Sequence, residues 1–234
     1  METATSLLNQ KATLVQGFAL FADVSPADCA SIISSAREKR FARRQVIYSE
    51  GEPVQQVTLL LTGCVKITQI GMNGSEVILR LNGTGEVVGA FRLCADCHHC
   101  STAQAMQSCI ALVWEAAAFE KLLERFPSFR RNTIRALEER LQEMEQRFRE
   151  VSTEKVGSRL SSELVRLTNR MGRPVEGHLE ITLSRSELAQ LTGTTLFTVS
   201  RLLCHWQTLG IVKIRREAVL VRDFAALTQL SQTE

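Results

Sequence analysis

The chain has 234 residues, 44% of them hydrophobic and 23% charged, with a net charge of +3 and seven cysteines. That composition suits one or two globular domains, and no run reaches the roughly 18 apolar residues that a membrane span needs. The first residues, METATSLLNQKATLVQGF, lack a basic stretch followed by an apolar block. A cytoplasmic protein with no membrane partner is therefore expected, its cysteines serving metal or redox chemistry rather than a disulfide framework.

After a short helical lead, Ser25 and Pro26 stand where a helix cap and first helical residue would. From Phe41 to Trp114 the pattern changes to short runs rich in Val, Ile, Leu and Thr: 46–48, 57–61, 64–68, 77–79, 87–88 and 110–114. Turns fall at Gly51, Gly63, Gly71 to Gly74 and Gly83 to Gly85. Many short strands with regular glycine punctuation predict a small antiparallel β-roll. Phe126 and Phe129 are expected to pack under it.

From about Phe119 the chain reads as helix again. Ile134, Leu137, Leu141, Met144, Phe148 and Val151 follow a 3-4-3-4-3 spacing, a narrow apolar seam with Arg, Glu and Gln on the other faces. A seam that narrow predicts a homodimeric coiled coil rather than a helix lying on its own domain. Ser152 to Lys155 reads as a hinge. Val156, Leu160, Leu164, Leu167 and Met171 then form an amphipathic helix ending at Gly172, followed by a turn at 174–177 and a strand at 179–183.

Residues 184–222 are the most informative stretch. Ser184 and Glu187 have the spacing of a capping box. Leu188 and Leu191 give the first helix a buried face, Gly193 supplies a turn needing positive φ, and Thr194 or Thr195 can cap a second helix. On that helix Val199, Leu202, Leu203 and Trp206 share one face. The wing strands would be Ile211–Ile214 and Ala218–Val221, joined by Arg216 and Glu217. This is the layout of a winged helix-turn-helix that binds double-stranded DNA. Ser186, Thr194, Thr195, Leu196, Phe197, Thr198, Ser200, Arg201, Lys213 and Arg215 are the candidate DNA contacts. The segment holds six basic and two acidic residues, a net +4 in a chain of +3, which suits a phosphate backbone. A dimer presenting two such helices predicts a pseudo-palindromic site with half-sites about one duplex turn apart.

The expected fold class is α+β, with a β-roll sensor at 1–118, a dimerisation helix at 119–152 and a winged helix-turn-helix at 153–234. That order resembles the CRP/FNR family of bacterial transcription regulators. The resemblance rests on Tyr48 to Glu52, Thr62 to Ile67, Gly74 to Leu79 and Gly85 to Gly89 in the roll, and on Val151 to Val156 at the hinge. In the DNA domain it rests on Ser186 to Ala189 and Thr198 to Leu203. It implies a homodimer in which a signal in the roll reorients the DNA-binding domains through the seam helix, with RNA polymerase as a further partner.

Two departures matter. Cyclic-nucleotide-binding members carry an Arg-Ser or Arg-Thr pair that holds the cyclic phosphate; here that place falls near Cys100, Ser101 and Thr102, without an Arg. An Arg fork is the natural phosphate partner, so cyclic AMP is not expected, and Arg92 on a shifted loop is the remaining substitute. In the recognition helix, members resembling the cyclic-AMP receptor carry Arg-Glu where this chain has Leu196 and Phe197, while Arg201 is kept. Arg201 can bond a guanine edge and the apolar pair can touch a thymine methyl, so an altered half-site is expected.

In place of the phosphate-binding segment stands LCADCHHCS, with Cys94, Cys97 and Cys100 spaced C-x2-C-x2-C and Cys109 following. This loop is the candidate sensor of a redox or gas signal, oxygen or nitric oxide. The spacing favours a [4Fe-4S] cluster with Cys109 as fourth ligand, ahead of Cys64. Zinc held with His98 or His99, haem, a direct thiol switch and an inert solvated loop stay open. The family's oxygen sensor takes ligands from an N-terminal Cys-rich segment, whereas the first 28 residues here contain no Cys. Cys29 and Cys204 are expected in helix cores. His205 is placed either at a phosphate or in a surface role. No Gly-rich phosphate loop, paired carboxylates or Ser-His-Asp pattern is present, so neither an enzyme nor a stand-alone nucleotide-binding module is the expected class.

Overall fold

A computed structural model describes residues 10–91 and 97–232. The chain divides into two compact units, residues 1–69 with 79–142, and residues 70–78 with 143–234.

Among the described residues the roll has eight strands, β1 (Arg37–Phe41), β2 (Val46–Tyr48), β3 (Gln56–Thr62), β4 (Val65–Ile70), β5 (Glu76–Asn82), β6 (Val87–Val88), β7 (Thr102–Ala105) and β8 (Cys109–Glu115). They form two sheets, ordered β1-β8-β3-β6 and β2-β7-β4-β5. The roll expected from the glycine-punctuated runs is present. Strands β3 and β8 are apolar almost throughout because each divides its side chains between two cores. Val57, Leu59, Leu61, Leu112 and Trp114 face one core with helix α1 (Pro26–Ser34) and helix α2 (Ala116–Arg125). Leu60, Cys109, Ala111 and Val113 face the other, inside the roll. Trp114 Nε1 donates to the Ile32 carbonyl at 3.0 Å. Phe126 and Phe129 are buried in the helix-side core, as expected, with Phe119 beside them. Ser25 caps α1 by accepting from Asp28 N, with Pro26 at the first helical position.

Two strands of the roll escaped the sequence reading. β1 reads REKRF and is exposed except at Phe41; it is an edge strand held by backbone pairing to β8, from Arg37↔Val113 to Phe41↔Cys109. A charged edge strand shows no apolar alternation and resists pairing with other chains. β7, TAQA, is too short and too small in its side chains to register.

Pro127 opens the long helix α3 (Pro127–Thr153). Asn132 fastens its first turns by donating to the carbonyls of Leu20 and Ala22. Along the seam, Ile134, Leu141, Met144, Phe148 and Val151 are exposed, Phe148 at 76%. Leu137 instead packs partly against the core of its own unit.

In the second unit α4 (Val156–Met171) buries Leu160, Leu164 and Leu167. β9 (Arg173–Val175) and β10 (His178–Ile181) form a hairpin where a turn alone was expected at 174–177, with Glu176 and Gly177 both at positive φ, the requirement of a type I′ turn. Helices α5 (Arg185–Thr192) and α6 (Leu196–Thr208) follow, then β11 (Val212–Arg215), β12 (Ala218–Val221) and α7 (Phe224–Ser231). The wing sheet is ordered β11-β12-β10-β9. Among the described residues no helix is long and apolar enough to cross a membrane.

Candidate DNA interface and sensor loop

The helix-turn-helix is set locally. Ser184 accepts from Glu187 N at 3.2 Å, and Glu187 accepts from Ser184 N at 2.8 Å, closing the capping box. Gly193 ends α5 in the left-handed region at φ +61, and Thr195, rather than Thr194, caps α6 by accepting from Thr198 N. Val199, Leu203 and Trp206 are buried, with Leu202 half-buried beside them. The opposite face carries Leu196, Phe197, Ser200, Arg201, Cys204 and His205. Phe197 is 84% exposed. Arg201 makes no ion pair among the described residues, so its guanidinium is available to a base edge or phosphate. Ser186 is exposed as the second residue of α5, and Thr194 is half-buried at the turn.

One expectation changes here. Cys204, expected in the core, is exposed. It stands five residues, about 140°, from Val199, and so falls off the buried stripe. Arg215, expected to face DNA, donates to both Glu180 and Glu176 at 2.8 Å. Lys213 lies 3.9 Å from Glu176. The carboxylates of the β9–β10 hairpin thus offset the positive charge of β11, and among the described residues the basic side chains of 184–222 with no ion pair are Arg185, Arg201, Arg216 and Arg222.

In the roll, Gly51 N donates to the His99 carbonyl, His99 N to Glu52 O and Val54 N to Cys97 O, all within 2.7–2.8 Å. These bonds pin the segment carrying Cys97, His98 and Cys100 to the turn after β2. Cys97 is half-buried, His98 and Cys100 are exposed, and His99 is buried. Its imidazole stacks on Tyr48 with centroids 3.5 Å apart and an interplanar angle of 9°. Tyr48 in turn abuts Gly89, where an added Cβ would come within 2.6 Å of the phenol oxygen. The Tyr48 hydroxyl is buried, and burial pushes its pKa up to about 12. From α3, Arg140 donates to the carbonyls of Gly89 (2.8 Å) and Val87 and lies over the Phe91 ring at 4.5 Å. The stem of the cysteine loop is thus tied to the seam helix. Arg140 was not singled out by sequence, because nothing local marks one Arg among many on that helix.

Cys94, and with it Arg92, lies outside the described residues. Cys109 is not beside Cys100. The two flank β7 at opposite ends, for Thr68 pairs with Thr102 and Val65 with Ala105, so about 10 Å of strand separates them. Cys109 Sγ points instead at the carbonyls of Gln107 (3.2 Å) and Cys64 (3.5 Å), and Cys64 Sγ lies 3.7 Å from Met106 Sδ. Among the described residues no group of three or more His, Cys, Asp or Glu could hold a metal ion. Cys109 therefore does not lie beside Cys100, and the His99 imidazole is buried against Tyr48.

Burial lowers the His99 pKa below its usual 6.5, against an opposing pull from Glu52. The folded state thus favours neutral imidazole. Its contribution to stability is complete above pH 6.5 and declines as pH falls from 6.5 towards the depressed value. Thermal melts of wild type between pH 7.5 and 5.5 should fall more steeply than those of His99→Phe, which keeps an aromatic stack but has no proton to bind. Parallel slopes would remove His99 as the titrating group.

A roll, a long helix with an exposed apolar seam and a winged helix-turn-helix with an exposed recognition face define a DNA-binding transcription regulator. Residues 38–126 match the cyclic nucleotide-binding domain family and residues 158–230 the Crp-like helix-turn-helix domain family. The chain belongs to the CRP/FNR family of transcription regulators. It is 24% identical over 212 residues to a CRP-like cAMP-activated global transcriptional regulator of Mycobacterium tuberculosis, covering 90% of this chain and 95% of that one. It is 25% identical over 199 residues to an anaerobic regulatory protein of Pasteurella multocida, covering 84% and 72%. The FixK2 structure from Bradyrhizobium japonicum shares the fold with a TM-score of 0.74 at 23% identity, over 85% of this chain and 98% of that one.

Proposed function

We propose that this regulator binds a pseudo-palindromic DNA site as a homodimer and that its roll responds to a redox signal at the Cys94-Cys97-Cys100 loop. The DNA reading is carried by one observation: the face of α6 opposite the buried stripe presents Phe197 and Arg201 to solvent, one helical turn apart. Arg201 reads a guanine, and Phe197 with Leu196 packs on a thymine methyl. Thr198, Ser200 and Ser186 lie close enough on the same elements to fix register on the backbone. The dimer is supported by the exposed seam on α3.

The sensor reading is supported by the place of the loop. Its stem, Val87 to Phe91, is held by Arg140 of the seam helix, and its return, Cys97 to His99, is pinned to the turn after β2 and stacked on Tyr48. A change at the loop thiols therefore acts on groups in contact with α3. The relatives include both a cAMP-activated regulator and anaerobic regulators; for this chain the thiol-rich loop favours redox.

The test is anaerobic purification with iron, sulfide and zinc analysis, followed by DNA binding before and after oxidation. Cys97→Ser and Cys100→Ser should abolish the redox response, whereas Cys109→Ser should leave it and any metal content unchanged. Loss of the response in Cys109→Ser alone would place the sensor at the Cys64–Met106–Cys109 sulfurs instead. DNA binding indifferent to oxidant in the wild type would end the redox reading while leaving DNA recognition intact.

A further inference from the structure

Four charged side chains form a network that the DNA and sensor readings leave unused. Arg166 of α4 donates from both terminal nitrogens to Glu150 of α3, at 2.6 and 2.9 Å. It also reaches Glu163 Oε2 at 2.7 Å from Nη2 and 3.1 Å from Nε. The second Glu163 oxygen accepts from Arg147 of α3 at 2.7 Å. Both carboxylates are about 95% buried. Burial alone would raise the Glu150 carboxyl, but the hydrogen bonds from Arg166 and its charge hold it below the usual carboxylate range.

The position of the network is informative. Arg147 and Glu150 lie in the last two turns of α3, beside the seam residues Phe148 and Val151. Glu163 and Arg166 lie in mid-α4, beyond the break at Glu154 and Lys155. A second tie crosses the same break: Arg159 donates to the Glu154 carbonyl at 2.9 Å and to Thr192 O, at the end of α5, at 3.3 Å. A two-residue break by itself leaves the angle between two helices loosely set. A bidentate fork has one good geometry, and losing one member of a buried pair strands an uncompensated charge. The network thus stiffens the joint between the end of the seam and the helix that carries the helix-turn-helix.

We infer that Arg166 and Glu150, with Glu163 and Arg147, are positioning residues that fix the spacing between the two DNA half-sites the dimer accepts. The inference rests on the reading of the chain as a dimeric DNA-binding protein. The four touch no DNA; they act through the orientation of α4, and with it α5 and α6, relative to the seam. Holding that angle makes the pair of recognition helices a rigid gauge; releasing it lets each helix find its half-site at several spacings.

The experiment uses the full chain and a half-site selected from a random duplex library by the wild type. Affinity is measured by fluorescence anisotropy on duplexes with the centre-to-centre spacing at its preferred value and with one or two base pairs added or removed. Each added pair turns one half-site by roughly 35° about the duplex axis. Wild type should lose about tenfold or more at two added pairs. Glu150→Gln and Arg166→Met should flatten that loss to under about threefold, as the energy of misorientation disappears from a jointed dimer. Exchange of all four charges (Arg147→Glu, Glu150→Arg, Glu163→Arg and Arg166→Glu), which keeps the alternation of the network, should restore the discrimination in part. It also separates a lost joint from a lost fold, since a merely destabilised variant weakens every spacing alike. Unchanged spacing preference in folded Glu150→Gln and Arg166→Met would overturn the inference. If the wild type selects no DNA at all, the DNA reading falls and takes the inference with it. If it selects a single half-site with no spacing preference, only the gauge is refuted.

Discussion

Replacing Arg201 with Ala should weaken operator binding by about 1–3 kcal/mol per recognition helix, roughly 5- to 150-fold, and relax selectivity at one base-pair position of each half-site. The argument starts from the helix. Val199, Leu203 and Trp206 are buried and fix its rotation. Arg201, two residues on from Val199, then points away from the core and makes no ion pair among the described residues. A guanidinium in that place matches the O6 and N7 acceptors of guanine, the commonest bidentate contact in a major groove. Binding measured on the selected site and on its single-position variants distinguishes two roles. Loss confined to one position marks Arg201 as a base reader. Equal loss on every sequence, with a salt slope reduced by about one, would mark it as a phosphate contact.

The larger effect is expected at the seam. Leu141→Glu with Phe148→Glu should turn the protein into a monomer at micromolar concentration and lower operator affinity by about 10²–10⁴-fold. Both side chains are exposed in the single chain. Burying a Leu or Phe against a partner contributes about 1.5–3 kcal/mol each, and a two-fold axis counts each contact twice. The substitutions remove that burial and set like charges along the seam. A monomer then binds one half-site without the effective concentration that the second half-site adds. Light scattering and DNA titration on the same samples read both. A dimer that survives the double substitution, with affinity unchanged, would place the interface elsewhere. Leu137 is a poorer choice for this test, because it also packs on the core of its own unit.

Much of the site is local in sequence and was legible there. A capping box needs two residues three apart, a left-handed turn needs a glycine, and a recognition helix shows its buried stripe by spacing. Ser184, Glu187, Gly193 and the Val199–Trp206 stripe therefore carried the helix-turn-helix without help from the rest of the chain. The glycine-separated apolar runs gave six of the eight roll strands for the same reason. β1 was missed because its four leading residues are exposed on an edge strand and carry no alternation. Cys204 was misplaced because it follows Leu203 directly, and neighbours in a helix point about 100° apart.

By itself, then, the sequence determined the kinds of elements, their order, the turn and caps of the DNA-binding motif, the apolar seam and the clustering of thiols in one loop. Only the tertiary structure decided which distant residues meet. Strand pairing puts β7 between Cys100 and Cys109 and so separates thiols that are nine residues apart. The β9–β10 hairpin brings Glu176 and Glu180 to Arg215, and folding across the break at Glu154 brings Arg166 to Glu150. The physical reason is the range of the forces involved. Helix caps, turns and apolar periodicity act within a few residues. Strand register, by contrast, and the pairing of buried charges depend on chain segments that are neighbours only after the backbone has folded.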